Sequence, residues 1–169
     1  MQRYLLRPRR EFAGDANEDE RHFRLAEAQF MRMAGGHRVE AVEYIVNPPL
    51  LAAFEAKQRE FLERDGTGAA ILGFHGTTTD ANIESILANN FDLARLAANT
   101  GNTGYFGAGI YFSEVARVAA GYTRGRVNKV LLCKLLPGRE YKIGGQHHKR
   151  NLQLLVMYDT TLRHLIGRL

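Results

Sequence analysis

Two short runs constrain this chain more than anything else in it. Ala69 to Phe74 is apolar and closes on His75-Gly76-Thr77. About thirty residues later, Tyr105-Phe106-Gly107-Ala108-Gly109-Ile110-Tyr111-Phe112 threads glycines through a second apolar run, and Tyr122 follows. The first reads as a short buried strand ending on a histidine. In the second, Gly109 to Phe112 reads as a brief strand. Ser113 then caps a helix with Val115, Val118, Ala119 and Tyr122 on one face by the three- and four-residue rule. Gly107-Ala108-Gly109 precedes a strand instead of joining strand to helix, which is the wrong context for a dinucleotide fingerprint.

The remaining elements follow from periodicity and punctuation. Residues 1–16 are expected to be a tail, and 17–169 one domain. Asn17 to Ala34 predicts an amphipathic helix through Phe23, Ala26, Phe30 and Met33, stopped by Gly35-Gly36. Arg38 to Val46 is strand-like, with Val42, Tyr44 and Val46 on one face and Ala41 and Ile45 on the other. Asn47 suits an N-cap and Pro48 the first helical position. The helix they open turns Leu50, Leu51, Phe54 and Phe61 inward and ends near Asp65-Gly66. Asp80 caps a helix through Asn89. Ala94 to Gly104 is a polar loop. Asn128 to Leu136 and Leu152 to Tyr158 are strands, Pro137-Gly138 is a turn, and Leu162 to Leu169 is a last strand or an extended tail. Strands without regular βαβ alternation predict an α+β fold with an antiparallel or mixed sheet.

At 169 residues the chain suits one domain with a real core. No apolar run is long enough to span a bilayer. The single cysteine, Cys133, excludes an intrachain disulfide and fits a reducing, intracellular site, cytoplasmic or nuclear. It lies in an apolar strand and reads as a buried small hydrophobe. The net charge of +5 favours polyanionic partners, whether nucleic acid, acidic protein surfaces or a pyrophosphate ligand. Arg7-Pro8-Arg9-Arg10 and His147-His148-Lys149-Arg150 read as solvated loops. His147-His148 lacks companions at metal-ligand spacing, and no metal is expected. Glu114 is expected to serve a helix N-terminus and Glu84 to face solvent.

The residue types around the two runs suit NAD. Breaking its nicotinamide–ribose bond builds oxocarbenium character on the ribose, as in glycoside hydrolysis. A protein doing so holds nicotinamide flat, fixes its carboxamide, orients the ribose and excludes water. A tyrosine face meets the cationic pyridinium. A glycine backbone allows close approach to the amide, and a histidine hydrogen-bonds a ribose hydroxyl. His75, Gly76, Tyr111 and Tyr122 offer those parts. Each has a plainer use too: a satisfied structural histidine, and tyrosines packed in the core.

The ordered set resembles the catalytic domain of the poly(ADP-ribose) polymerase (PARP) family, the diphtheria-toxin-like ADP-ribosyltransferases. His75-Gly76-Thr77 resembles its His-Gly-Thr/Ser motif, and Ile86-Leu87 with Asn90-Phe91 its "Ile-Leu…Gly-Phe" helix end. Phe106-Gly107-Ala108-Gly109-Ile110-Tyr111-Phe112-Ser113 is similar to its Phe-Gly-x-Gly-Ile-Tyr-Phe signature. Val130 to Lys134 with Pro137-Gly138-Arg139 resembles the next strand and turn, and Val156-Met157-Tyr158-Asp159 the last core strand. The likeness covers about residues 38 to 169. It implies the ADP-ribosyltransferase fold, with split antiparallel or mixed sheets and flanking helices, and NAD as donor substrate. It further implies that His75, Gly76 and Thr77 hold ribose and carboxamide, that Tyr111 and Tyr122 sandwich nicotinamide, that Ala94 to Gly104 covers it, and that Arg95 reaches pyrophosphate or adenine.

Two positions depart from the family pattern. The third triad position, a Glu in polymerising members, falls on Leu154, counted back from Asp159; a one-residue slip would select Gln153 but turn it to the other face. A leucine cannot hydrogen-bond an acceptor ribose, and mono-transferring members carry hydrophobic residues there. Ala119 stands where a serine hydroxyl often meets the carboxamide, a loss of about 1 kcal/mol of binding. The loop between Tyr141 and Leu152 is also short. The sequence therefore points to a monomeric, NAD-dependent mono-ADP-ribosyltransferase using His75, Tyr111 and Leu154 as its triad positions, with protein favoured over nucleic acid as acceptor and no membrane partner. Its rivals are a PARP-like pseudoenzyme serving as an interaction module and a tRNA 2′-phosphotransferase on the same fold.

Overall fold

The computed structural model describes residues 1–6, 24, 26–28, 30, 39–66, 68–95, 109–137, 140–143, 146–149 and 153–155. At its centre an antiparallel sheet runs in the order β3 (Ile71–His75), β4 (Leu131–Leu136), β7 (Gln153–Leu155). Gly73 pairs with Cys133 and Leu135 with Leu154, which fixes the register. Opposite residues of an antiparallel pair share a face. One face therefore carries Ile71, Gly73 and His75 beside Leu131, Cys133 and Leu135; the other carries Leu72 and Phe74 beside Leu132, Lys134 and Leu136.

Both faces are covered, which explains why β4 is apolar on both sides, with Leu131, Leu132, Cys133, Leu135 and Leu136 all buried. On the first face Ile83 and Leu87 of α2 (Asp80–Asn89) and Ile45 of β2 (Val42–Val46) pack against Leu131, Cys133 and Leu135. On the second, Phe74 and Leu132 meet Ala116 and Ala119 of α3 (Ala116–Gly121) together with Phe30. Leu136 meets Phe54 and Phe61 of α1 (Pro48–Asp65). The expected inward set of α1 is thus observed, and the helix stops at Gly66, whose φ of 65° is left-handed. Lys134, on the α1 side of β4, lays its Nζ 5.0 Å from the Phe54 ring centroid.

Several local expectations change. Residues 2–6, expected in a tail, form β1 (Gln2–Leu6), antiparallel to β2, and Arg3 binds Glu84 and Glu43. Glu84 is therefore the anchor of that strand and not simply solvated, and the Arg3 guanidinium holds its carboxyl below the usual range. Periodicity misses this strand, because it lies among Arg3, Arg7, Arg9 and Arg10 and much of it is exposed. Residues 7–16 of the expected tail lie outside the described residues. Within the expected first helix, Arg24, Ala26 to Ala28 and Phe30 are helical.

Thr79, not Asp80, caps α2, accepting the Asn82 amide at 3.1 Å. Asn47 occupies the N-cap position of α1 without capping it. Its Nδ2 donates instead to the carbonyls of Leu87 (2.9 Å) and Ala88 (3.3 Å), satisfying the end of α2. Gly109 to Phe112 forms no strand; a bridge joins Ser113 to Phe74. His147-His148 lies in β6 (Gln146–Lys149), paired with β5 (Glu140–Ile143), and not in a loop. The expected last strand is described only as β7, and 156–169 lie outside the described residues, as does the 105–108 part of the glycine-spaced run.

Candidate active site

The end of β3 delivers two consecutive residues to opposite layers. His75 turns toward the α2 side. Its ring lies 4.7 Å from that of Phe91 at 85° and 5.2 Å from that of Phe112 at 37°, centroid to centroid. Phe91 and Phe112 complete the triangle at 5.4 Å. His75 Nδ1 is 3.0 Å from the Tyr111 carbonyl oxygen. A carbonyl only accepts, so Nδ1 carries the proton and donates, and Nε2 of the neutral ring keeps its lone pair. Burial among the aromatic rings lowers the imidazole pKa, and the Tyr111 carbonyl opposes that only in part. The ring is thus held neutral with a defined acceptor nitrogen.

Gly76 turns the other way, against α3. A Cβ built on it would sit 1.8 Å from the Ala119 carbonyl oxygen and 3.3 Å from Tyr122 Cβ. No side chain fits, so the glycine is required by backbone contact between β3 and α3. This contact brings Gly76, Ala119 and Tyr122 together, and the Phe74–Ser113 pair, with hydrogen bonds of 2.7 and 3.0 Å, draws the 109–113 segment along the edge of β3 away from β4. His75 thus meets the Tyr111 backbone, and Gly76 meets Ala119 and Tyr122.

The helix behind Tyr122 is shorter than expected. It starts at Ala116, and the Ser113 hydroxyl accepts from Val115 N at 3.0 Å in a turn before it. Ala116 and Ala119 are buried, but Val118 is 46% and Tyr122 45% exposed, so the buried face is not the one the periodicity suggested. Two consecutive alanines and Gly121 give the segment little apolar bulk, and the Gly76 contact sets its roll. Glu114 is exposed and precedes the helix.

Other expected residues take different places. Thr77 is 2% exposed and accepts from Asn82 Nδ2 at 3.0 Å, so it builds the wall between β3 and α2 and does not line an open site. Arg95 ends a short 3-10 turn, Leu93–Arg95, with its Nε 3.7 Å from Asp92. The rest of the expected covering loop, 96–104, lies outside the described residues. Leu154 lies in β7, paired with Leu135 of β4. Cys133 is fully buried and its thiol pKa is pushed far up, in keeping with a structural residue.

Sequence reasoning missed Phe91 and Phe112 as the walls around His75, although both flank recognised motifs. Asn90, where the resembling pattern has glycine, adopts a left-handed φ of 72° and turns the chain from α2 into Phe91. Among the described residues no three or more His, Cys, Asp or Glu gather as metal ligands, and no helix is long and apolar enough to cross a membrane.

No curated protein sequence matches the chain significantly. The family model of the poly(ADP-ribose) polymerase catalytic domain matches residues 23–153, which span the His75 motif, the glycine-spaced signature and strands β3 and β4; the chain belongs to that family of ADP-ribosyltransferases.

Proposed function

We propose that this domain transfers a single ADP-ribose unit from NAD to a macromolecular acceptor and releases nicotinamide. The observation that supports it best is the neutral, oriented His75, its Nδ1–H spent on the Tyr111 carbonyl and its Nε2 free to accept a proton donor. A ribose hydroxyl is a donor of the right kind. On this reading Gly76 offers its backbone to the carboxamide, and Tyr111 and Tyr122 flank the pyridinium ring. The C1′–N bond breaks with its electron pair leaving on nicotinamide. Positive charge develops on the ribose, and the acceptor forms the new bond at C1′ and gives up a proton. Ala119 supplies only a carbonyl and a methyl where a serine hydroxyl would add a hydrogen bond.

The limit to one unit rests on Leu154. A leucine at the third motif position offers no hydrogen bond to a second ribose, so elongation lacks a positioning group. Incubation with NAD and an acceptor protein, followed by intact-mass analysis, tests both parts. Mass increments of one ADP-ribose per modified site are expected. A ladder of long, phosphodiesterase-sensitive chains would overturn the single-unit reading. NAD binding without nicotinamide release or adducts would establish the non-catalytic alternative, to which Leu154 and Ala119 both contribute.

A further inference from the structure

Asn90 carries two costs beside the His75 enclosure. Its φ of 72° combines with a ψ of −178°, a region that glycine enters readily and other residues rarely hold. An asparagine with a positive φ ordinarily sits in the left-handed helical well, with ψ roughly +50°, and Asn90 does not. Its side-chain Oδ1 is also buried and accepts no hydrogen bond among the described residues. Both costs fall where the family pattern has glycine, which would bear neither.

The residue is forced into this state from both sides. Before it, the Asn90 N–H donates to the Ile86 carbonyl at 2.8 Å, and Asn47 holds the carbonyls of Leu87 and Ala88. After it, the Phe91 ring stands edge-on to both His75 and Phe112. The next residues form a turn braced within itself. Ala94 N–H donates to Asp92 Oδ1 at 2.9 Å, Arg95 N–H donates to the Asp92 carbonyl at 3.0 Å, and Arg95 Nε lies 3.7 Å from Asp92. Asp92 to Arg95 are all exposed. Of the two large apolar side chains here, Phe91 packs against the core and Leu93 is 69% exposed.

We propose that Asn90 is a strained hinge and Phe91 its latch: residues 91–95 swing as one turn off His75, uncovering it to an incoming ligand, and swing back to enclose it. One movement relieves both costs. When Phe91 leaves its seat, Asn90 can relax into an ordinary backbone well, and water reaches Oδ1. The closed state is therefore less favoured than it would be with glycine at the hinge, and the open state is drawn into the equilibrium. The internal hydrogen bonds of residues 92–95 survive the motion, so the turn moves as a body about one residue. That the ligand is NAD rests on the transfer reading above.

The test compares Asn90→Gly with the parent, both as the full chain, by thermal unfolding, NMR titration of the His75 ring and NAD calorimetry. Glycine removes the strain and the orphan oxygen, and its extra freedom in the unfolded chain offsets only part of the gain. The variant should melt about 3 °C higher. Its closed state should gain population, so the His75 midpoint should move further below the ordinary 6.5. NAD should bind about twofold more tightly, as when a closed fraction of about one half rises to nearly one. The described groups that face the ring carry no charge: Phe91 beyond α2, Phe112 and the Tyr111 carbonyl, and Leu131 opposite in β4. Its titration therefore reports enclosure. Asn90→Ala keeps the backbone strain and should not gain stability. A gain by alanine equal to that of glycine would overturn the hinge. So would an Asn90→Gly chain that melts higher yet titrates His75 as the parent does, since stabilisation alone would then explain it. A parent chain that does not bind NAD would sink the transfer reading instead, and the melting and titration comparisons would decide the hinge without it.

Discussion

His75 leaves β3 toward the α2 layer and Gly76, one residue on, toward the α3 layer, and the two layers grip them by different physics. Around His75 the contacts are between side chains: two aromatic rings and one hydrogen bond from Nδ1 to a carbonyl. At Gly76 backbone meets backbone, with the Ala119 carbonyl seated where a methyl would be. Rings shift by tenths of an ångström at small cost. A helix carbonyl moves only with its helix, and α3 is pinned by the buried Ala116 and Ala119. The histidine side is tuned chemically, and the glycine side is fixed sterically.

The largest effect is therefore expected at Gly76. Gly76→Ala forces α3 away from β3, at a cost on the order of 3 kcal/mol, or roughly 10 °C in Tm for a chain of this size. It should also abolish NAD turnover, because Tyr122 moves with the helix. Gly73→Ala is the control. Its new methyl meets Leu135 Cδ1 at 2.8 Å and Phe112 Cβ at 3.3 Å, side-chain atoms that can yield. Equal losses in the two variants, measured by thermal unfolding, would erase the distinction between steric and side-chain grips.

The histidine side should reveal itself through pH. Burial lowers the His75 pKa from the ordinary 6.5. Above that value the ring is neutral in both folded and unfolded chains and contributes no slope. Below it the unfolded chain takes up a proton that the folded site resists, so stability falls with acid until the folded pKa is reached. His75→Gln should flatten this acid slope. NAD binding by the parent should persist somewhat below pH 6.5, where an ordinary histidine would already be charged. An unchanged slope in His75→Gln, from denaturant titrations across that range, would show that the aromatic enclosure does not control the ring.

The two sides also differ in how far the sequence revealed them. The strand ending on His75, the inward face of α1 and the span of α2 are all local patterns, and they were legible. The Gly76 position was legible too, because the family pattern records a glycine there, and the structure leaves no room for a side chain. The failures are long-range. Asn47 has the composition of a cap, yet its amide serves a helix end forty residues away. Residues 2–6 lie in an arginine-rich, exposed stretch and depend on β2 for a partner. Thr77 bears the motif's hydroxyl, whose use is decided by Asn82 on the next helix turn. No periodicity carries that information.

Asn47 offers a smaller perturbation of the histidine side. Its amide holds the last carbonyls of α2, and α2 leads through Asn90 into Phe91, one wall of His75. Asn47→Ala should cost about 1 kcal/mol and only modestly weaken NAD binding, because the ring can readjust. Asn47→Asp should be worse than Ala, since a carboxylate would face two carbonyl oxygens with no proton to donate. If Asp and Ala variants unfold at the same temperature, the bond to Leu87 and Ala88 contributes nothing and the wall is held by packing alone.

The smallest effect on stability is expected at Tyr122, where the two grips come apart. Its backbone belongs to the fixed side, beside Gly76, but its ring is nearly half exposed. Removing the ring leaves the β3–α3 contact intact, and substitutions at such positions stay within about 0.5 kcal/mol. The same ring is proposed to lie over the pyridinium, and losing a stacked aromatic face costs roughly 1–2 kcal/mol of cation binding. Tyr122→Ala should therefore melt with the parent while binding NAD about tenfold more weakly by calorimetry, and Tyr122→Phe, which keeps the face, should restore most of the affinity. A parent-like affinity in Tyr122→Ala would remove Tyr122 from the site. A loss of stability as large as that of Asn47→Ala would show that the ring, and not only the Gly76 backbone contact, holds α3 in place.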